Sequence, residues 1–444
     1  MQNDKTTLKD LSVFTAEIGS GVFGLLQHTT STVGQDMLKK QVLNPPGSFE
    51  ALQAVQDTVK FWAKNVDQWP QIISNGTLVM LEKFFESADN SSAPPSGFAL
   101  MMSNFFQKLL NRGQYFFTQF SISHLSDFLK GCLKFTELLK RDDLPALLRS
   151  ELEAMQEELQ HRLTNDIVQV DQRTRFKDLS RLSFHARREM KNPVYRLIDH
   201  YARIDAWRSL ALATIKNKWV FPELLPASPV HFEAKGLYHP LLQVPVDYDI
   251  TFSDQKNFLL LTGANMSGKT TFMRAMGVGA LLAHLGTGVP ASAMRISFLQ
   301  GIITNMHVED NILRGESYFL AEVHRMKHTS ERLLQPAPHL VLMDELFKGT
   351  NVHDAYECTR AVVEGLLNRP HHLMILSTHL YEVAQHFKET TGIQFAYFVT
   401  DLASDGSYEF RYELREGISN DRIGYRILQK EGVLDLLRRS PRQG

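Results

Sequence analysis

Eight consecutive residues, Gly263, Ala264, Asn265, Met266, Ser267, Gly268, Lys269 and Thr270, have the types and spacing to hold a triphosphate. The glycines let backbone N–H groups turn inward around a β-phosphate. Lys269 brings a cation to the β- and γ-phosphates, and the Thr270 hydroxyl can ligate Mg2+, with Thr271 behind it. Farther along, Asp344 and Glu345 form an acidic pair. Asp344 can hold the Mg2+ hydration shell, and Glu345 can orient or deprotonate an attacking water. A third candidate, His379, can donate a hydrogen bond to a γ-phosphate and sense its loss. The chain has 17 histidines, so only its place in this order gives His379 weight.

Such residues must sit at the C-terminal ends of buried strands. The run Phe258–Leu261 precedes the phosphate loop, Leu340–Met343 the acidic pair, and Leu373–Leu376 the turn Ser377, Thr378, His379. Short apolar runs that lead into a loop and then a helical pattern read as parallel strands of a β/α domain. A helix is expected to start near Thr270, its N-terminus facing the phosphates. The stretch Phe395–Leu414 alternates as two antiparallel strands do, with a turn at Ser404, Asp405 and Gly406.

From Leu8 to about Trp219 the apolar residues recur instead at helical spacing. Leu148, Leu152, Met155, Leu159, Leu163, Ile167 and Val170 predict one long helix with a single apolar face. The stretches Asn44–Gly47 and Asn90–Gly97 carry loop chemistry, and Phe105, Phe106, Phe116 and Phe117 are expected in the core. Pro222, Pro226 and Pro229 mark a linker. The reading is therefore a helical domain over 1–220 and a P-loop ATPase domain over 221–444.

Charge bounds the partners. With 48 basic and 49 acidic residues the formal net charge is −1, so any surface for nucleic acid must be local. Arg173, Lys177, Arg181, Arg188 and Lys191 are one such candidate, spaced to share a helix face. Phosphate contacts and a plain solvated face both fit them. Two cysteines, Cys132 and Cys358, imply no disulfide framework and suit a reducing, cytoplasmic setting. The polar start from Met1 to Asp10 is unlike a signal peptide, and no apolar run reaches the length of a membrane span.

Further segments narrow the class. The phosphate loop with its Asn265-Met266 pair, the segment Asp310–Glu322 with Ser317, and Leu346–Asp354 after the acidic pair resemble the nucleotide-binding motifs of the MutS family. The likeness extends to Gly236–Pro240 and Glu416–Gly424. More weakly, it covers Leu8–Phe14, Thr29–Gly34, Leu43–Pro46 and Tyr201–Ala211. It implies an α-helical lever or core domain followed by an α/β ABC-type P-loop ATPase domain. It also implies a homodimer through the ATPase domains, with Ser317 of one chain reaching the γ-phosphate held by the other. ATP and Mg2+ are the implied cofactors. Gly263, Asn265, Met266, Ser267, Gly268, Lys269, Thr270, Thr271, Ser317 and Tyr412 would bind nucleotide. Thr270 and Asp344 would hold the metal, and Glu345, His379 and Lys269 would serve catalysis.

Some positions depart from the family pattern. Lys348 stands where an arginine is usual and Asn351 where a serine is usual. The adenine-facing aromatic is open among Tyr238, Tyr248 and Tyr412. Tyr412 is favoured because it leads to Gly417, where the family places a ring. The core-like sequence begins almost at Met1, so the mismatch-recognition and connector domains are expected to be missing. The expected function is a DNA-binding ATPase of repair or recombination that clamps DNA structures without reading mismatches. The alternative is an ATP-gated assembly protein that works on a protein partner. A transporter subunit is disfavoured, since no Leu-Ser-Gly-Gly-Gln signature precedes His339.

Overall fold

The computed structural model describes residues 3–15, 20–87, 112–171, 173–264, 266–306, 318–402, 408–419 and 433–438. In chain order the helices α1 Lys5–Asp10, α2 Gly21–Leu26, α3 Thr32–Leu43, α4 Phe49–Lys64, α5 Asn75–Glu86, α6 Arg112–Thr136, α7 Ala146–Leu159, α8 Thr164–Val168, α9 Phe176–His185 and α10 Lys191–Lys216 come first. The strands β1 Glu223–Leu225, β2 His231–Leu237, β3 Tyr248–Ser253 and β4 Phe258–Thr262 follow, then α11 Lys269–His284. Next come β5 Ala293–Ser297, β6 Gly301–Asn305, α12 Tyr318–Arg332, β7 His339–Asp344, α13 Val352–Leu367 and β8 Leu373–Ser377. The last described elements are α14 Tyr381–His386, β9 Ile393–Leu402, β10 Tyr408–Glu416 and α15 Val433–Arg438.

Contacts divide the chain into two compact units, Leu26–Val42 with Ala54–Ala213, and Met1–Leu25 with Leu43–Gln53 and Thr214–Gly444. A single cut at residue 220 does not describe this division. The N-terminal segment packs with the strands because α1 lies along β6, where the Thr7 hydroxyl donates to the Ile302 carbonyl at 3.4 Å.

The first unit is helical among the described residues. Trp62, Trp69, Phe128, Phe135 and Tyr201 are buried in its centre, with Trp69 edge-on to Phe135 at 5.0 Å. Such ring pairs add about 0.5–1.5 kcal/mol beyond the area they bury. The start of α3 is held by Asp205, fully buried, which accepts from Thr30 N and Ser31 N at 3.0 and 3.1 Å and from the Ser31 hydroxyl at 2.8 Å. The predicted long helix over 148–170 is two helices, α7 and α8. All seven apolar positions are buried, but the chain turns at Gln160, whose N–H bonds the Glu157 carbonyl. The basic positions 173, 177, 181, 188 and 191 are all exposed. They do not share one regular helix, because Arg173 precedes α9 and a π turn at Ala186–Met190 separates α9 from α10. Phe116 is 62% exposed, against the expected core position; Phe105 and Phe106 lie outside the described residues, as does the expected loop at 90–97.

The second unit holds the sheets. A six-stranded sheet runs β10-β9-β4-β8-β7-β6, parallel except for β10. Its central strands are buried on both faces, which is why they read as continuous apolar runs. A smaller sheet runs β1-β5-β2-β3. The predicted antiparallel pair is β9 and β10, and its expected turn at 404–406 lies outside the described residues. No described helix is long and apolar enough to cross a membrane.

Candidate active site

The C-terminal ends of β4, β7 and β8 bring three predicted pieces together. Register places Leu261 beside Ser377, and Asp344 beside Ser377 on the other side. The turn after β7 is tied to β8, since Glu345 N donates to Ser377 O at 3.0 Å.

The phosphate loop follows β4. Gly263 and Gly268 have φ of 134° and 111°, values at which a side chain is strained, so glycine is required at both. Gly268 caps α11, which starts at Lys269. Met266 has φ of 68° and is 74% exposed. Ser267 is buried, and its hydroxyl has no partner among the described residues. A buried hydroxyl is rarely left unsatisfied, and one lining this loop suits a phosphate oxygen. Asn265 lies outside the described residues.

Lys269 is buried and curls back over the loop, donating to the carbonyls of Gly263 and Ala264 at 2.7 and 2.9 Å. Burial pushes its amine below the usual lysine range, offset in part by Glu345 and Asp344. Thr270 donates its hydroxyl to Asp344 at 2.6 Å, and Ser377 donates to the other Asp344 oxygen. Thr271 follows in the same turn, half-buried. The loop, the hydroxyl of Thr270 and the carboxylate of Asp344 fit a nucleotide phosphate chain with its divalent cation.

Glu345 has φ of 53°. One of its oxygens lies 3.7 Å from Lys269; the other is 3.1 Å from Lys348 and 3.7 Å from His379. The His379 ring, working against burial and joined by Lys348 and Lys269, holds its carboxyl down at about 2.

Two groups missed in the sequence hold this turn. Glu322, buried on α12, accepts from Lys348 N and Gly349 N, both at 3.1 Å. Ser377 braces Asp344 as described. The Gly349 position is crowded, since a Cβ there would lie 2.7 Å from Phe319 N. Asn351 caps α13 by accepting from Asp354 N at 3.0 Å, a role that serine fills as well.

The aromatic candidates separate. Tyr248 is buried edge-on to Phe272 and Phe398 at 5.2 and 5.8 Å. Tyr238 follows β2 of the smaller sheet. Tyr412 sits at a bulge in β10 and is 41% exposed, and its ring edge comes within 3.2 Å of a Cβ built on Gly268. Of the three it is the open ring beside the phosphate loop. Ser317 lies outside the described residues.

Residues 259–437 match the family model for MutS domain V. About half of the chain aligns with curated relatives. It is 28% identical to the DNA mismatch repair protein MutS 1 of Haloarcula marismortui over 240 residues, 52% of this chain and 26% of that protein. It is 30% identical over 243 residues to the DNA mismatch repair protein msh3 of Aspergillus fumigatus, covering 52% and 21%. It is 29% identical over 242 residues to the DNA mismatch repair protein MutS of Chloroflexus aurantiacus, covering 52% and 24%. The aligned part thus spans about a quarter of each relative's length.

Proposed function

We propose, on the match of residues 259–437 to MutS domain V and the likeness to MutS-type relatives, that the chain is a Mg2+-dependent ATPase of the MutS family that binds DNA. The observation that carries the reading is the Thr270–Asp344 hydrogen bond at 2.6 Å, beside a buried Lys269 that faces Glu345. Hydroxyl, carboxylate and cation are thereby arranged as phosphate and metal chemistry requires.

Mg2+-ATP, when bound, supplies the electrophilic phosphorus and the charge to be neutralised. Lys269 exchanges two loop carbonyls for phosphate oxygens. Thr270 and Asp344 would hold the cation and its water. Glu345, kept ionised by His379, Lys348 and Lys269, would orient or deprotonate the attacking water. His379, half-exposed beside Glu345, would donate to the γ-phosphate, and Tyr412 would stack on the base. Two ATPase domains meet face to face in a homodimer, with Ser317 of one acting on nucleotide held by the other. ATP binding and hydrolysis then shift the dimer between states, and the helical unit acts as the lever or core that engages DNA. The setting is cytoplasmic.

DNA contact of this kind is dominated by phosphates, for which Arg173, Lys177, Arg181, Arg188 and Lys191 are exposed candidates. The test is binding of labelled homoduplex and branched DNA with ADP or ATP across a salt series. The reading predicts nucleotide-dependent binding that weakens steeply with salt. Failure to bind either DNA at low salt would shift the weight to the alternative, a protein partner, which the net charge of −1 leaves open.

A further inference from the structure

Among the described residues β6 is an edge strand of the six-stranded sheet and pairs with β7. An edge strand leaves a row of backbone N–H groups without a neighbour. Here three alternate N–H groups find side chains at the start of the chain. Ile302 N donates to Asn3 Oδ1 at 3.0 Å, Thr304 N to Thr7 Oγ1 at 3.3 Å, and Met306 N to Asp10 Oδ2 at 3.3 Å. Thr7 and Asp10 share a face of α1 and Asn3 lies just before the helix, while residues 302, 304 and 306 follow strand spacing, so this segment lines the free edge of the strand. Asp10 takes two donors from this strand. It is 3% exposed, and the same Oδ2 also accepts the Thr304 hydroxyl at 2.6 Å.

The clasp also takes in α12. Arg325 of α12 donates to Thr304 O at 2.6 Å and to Asn305 Oδ1 at 2.9 Å, and pairs with Asp4 at 2.7 Å. Asp4 in turn caps α1 by accepting from Thr7 N at 2.7 Å. What these contacts fix is the end of β6, and that end is part of the active site. Asn305 and Met306 line a narrow cavity together with Asp344, Glu345 and Glu322, the last of which holds the turn carrying Lys348. The phosphate loop follows β4, with β8 and β7 between it and β6, so the clasp touches the wall beside the acidic pair and not the phosphate loop.

We propose that Asp10 is a positioning residue for ATP hydrolysis: its carboxylate oxygen fixes Thr304 and Met306, and through them the wall beside Asp344 and Glu345. The proposal rests on the ATPase reading above and deepens it. Because a single oxygen accepts both bonds, an asparagine can supply an equivalent amide oxygen, whereas an alanine cannot.

The experiment is steady-state ATP hydrolysis by the full chain, with direct binding of a fluorescent ATP analogue and Mg2+, well below the melting temperature. Asp10→Ala, Asp10→Asn and Thr304→Val are compared with wild type and with Lys269→Ala. The expected result for Asp10→Ala is a kcat lower by about tenfold with the analogue's affinity within about twofold of wild type. Asp10→Asn should keep at least about half of the wild-type kcat. Thr304→Val, which loses one donor and keeps the backbone bond, should fall in between; with Asp10→Asn it carries the test if Asp10→Ala does not fold. A wild-type kcat in Asp10→Ala would overturn the proposal. So would a loss in Asp10→Asn as deep as in Asp10→Ala, or a kcat that falls only in step with nucleotide affinity. A wild-type chain that neither binds nor hydrolyses ATP would instead remove the ATPase reading and this inference with it, and Lys269→Ala losing nucleotide shows that the underlying reading stands.

Discussion

Lys269, Lys348 and His379 converge on Glu345. Lys348 is the nearest, at 3.1 Å. Its removal takes away a charge that favours the carboxylate, so the Glu345 carboxyl must rise from about 2 towards its ordinary value. The expected outcome for Lys348→Ala is an acid limb of the kcat profile that moves to higher pH, with nucleotide affinity little changed. An unmoved limb in a pH–rate series would show that Glu345 does not govern it. Tyr412 gives a second prediction at this scale. Tyr412→Ala should weaken nucleotide binding by about tenfold, ~1.4 kcal/mol, while Tyr412→Phe, which keeps the ring, should bind as wild type does. Equal affinities for all three in a titration would remove the stacking role.

At the scale of elements, the phosphate loop depends on its glycines more than on contacts. Gly268 has φ of 111°, and a Cβ there would press on the Tyr412 ring at 3.2 Å. Gly268→Ala should therefore cost about 1–3 kcal/mol of stability and shift the start of α11; an unchanged unfolding midpoint with intact nucleotide binding would contradict it. These parts were legible in the sequence because strand, loop and helix follow one another within a few residues. The strands before Gly263, Asp344 and Ser377, and the antiparallel pair after residue 392, could be read from apolar runs and alternation alone. Other parts were not. The roles of Glu322, Ser377 and Asp10 are hydrogen bonds across 26, 33 and 294 residues of sequence, and no spacing rule encodes them. The break between α7 and α8 escaped because the apolar stripe is preserved across the turn at Gln160. The basic stripe was misread as one helix face because a π turn carries no marker in composition.

For the molecule as a whole, buried histidines set the acid limit. His284 is almost fully buried and accepts from Leu299 N at 2.7 Å with one ring nitrogen, while the other faces the Ala280 carbonyl at 2.8 Å. Protonation would break the first bond. Burial holds His284, His239, His339 and His372 down at about 4. Each folded value lies below the unfolded one of about 6.5, so the unfolded chain binds more protons as pH falls. Their stabilisation is complete above 6.5 and is lost progressively towards 4. Glu345 adds a further loss as pH falls from its ordinary 4.5 towards 2. The midpoint of urea unfolding should thus be steady above neutrality and fall between pH 6.5 and 4; a flat midpoint across that range would contradict the buried neutral state. The central claim is that one chain binds nucleotide through its phosphate loop and hydrolyses it through the acidic pair. The most direct measurement is Mg2+-ATP affinity and single-turnover hydrolysis for wild type, Lys269→Ala and Glu345→Gln. The account predicts that Lys269→Ala loses affinity, and that Glu345→Gln binds as wild type does but hydrolyses at least about 100-fold more slowly. Hydrolysis by Glu345→Gln at the wild-type rate would contradict it.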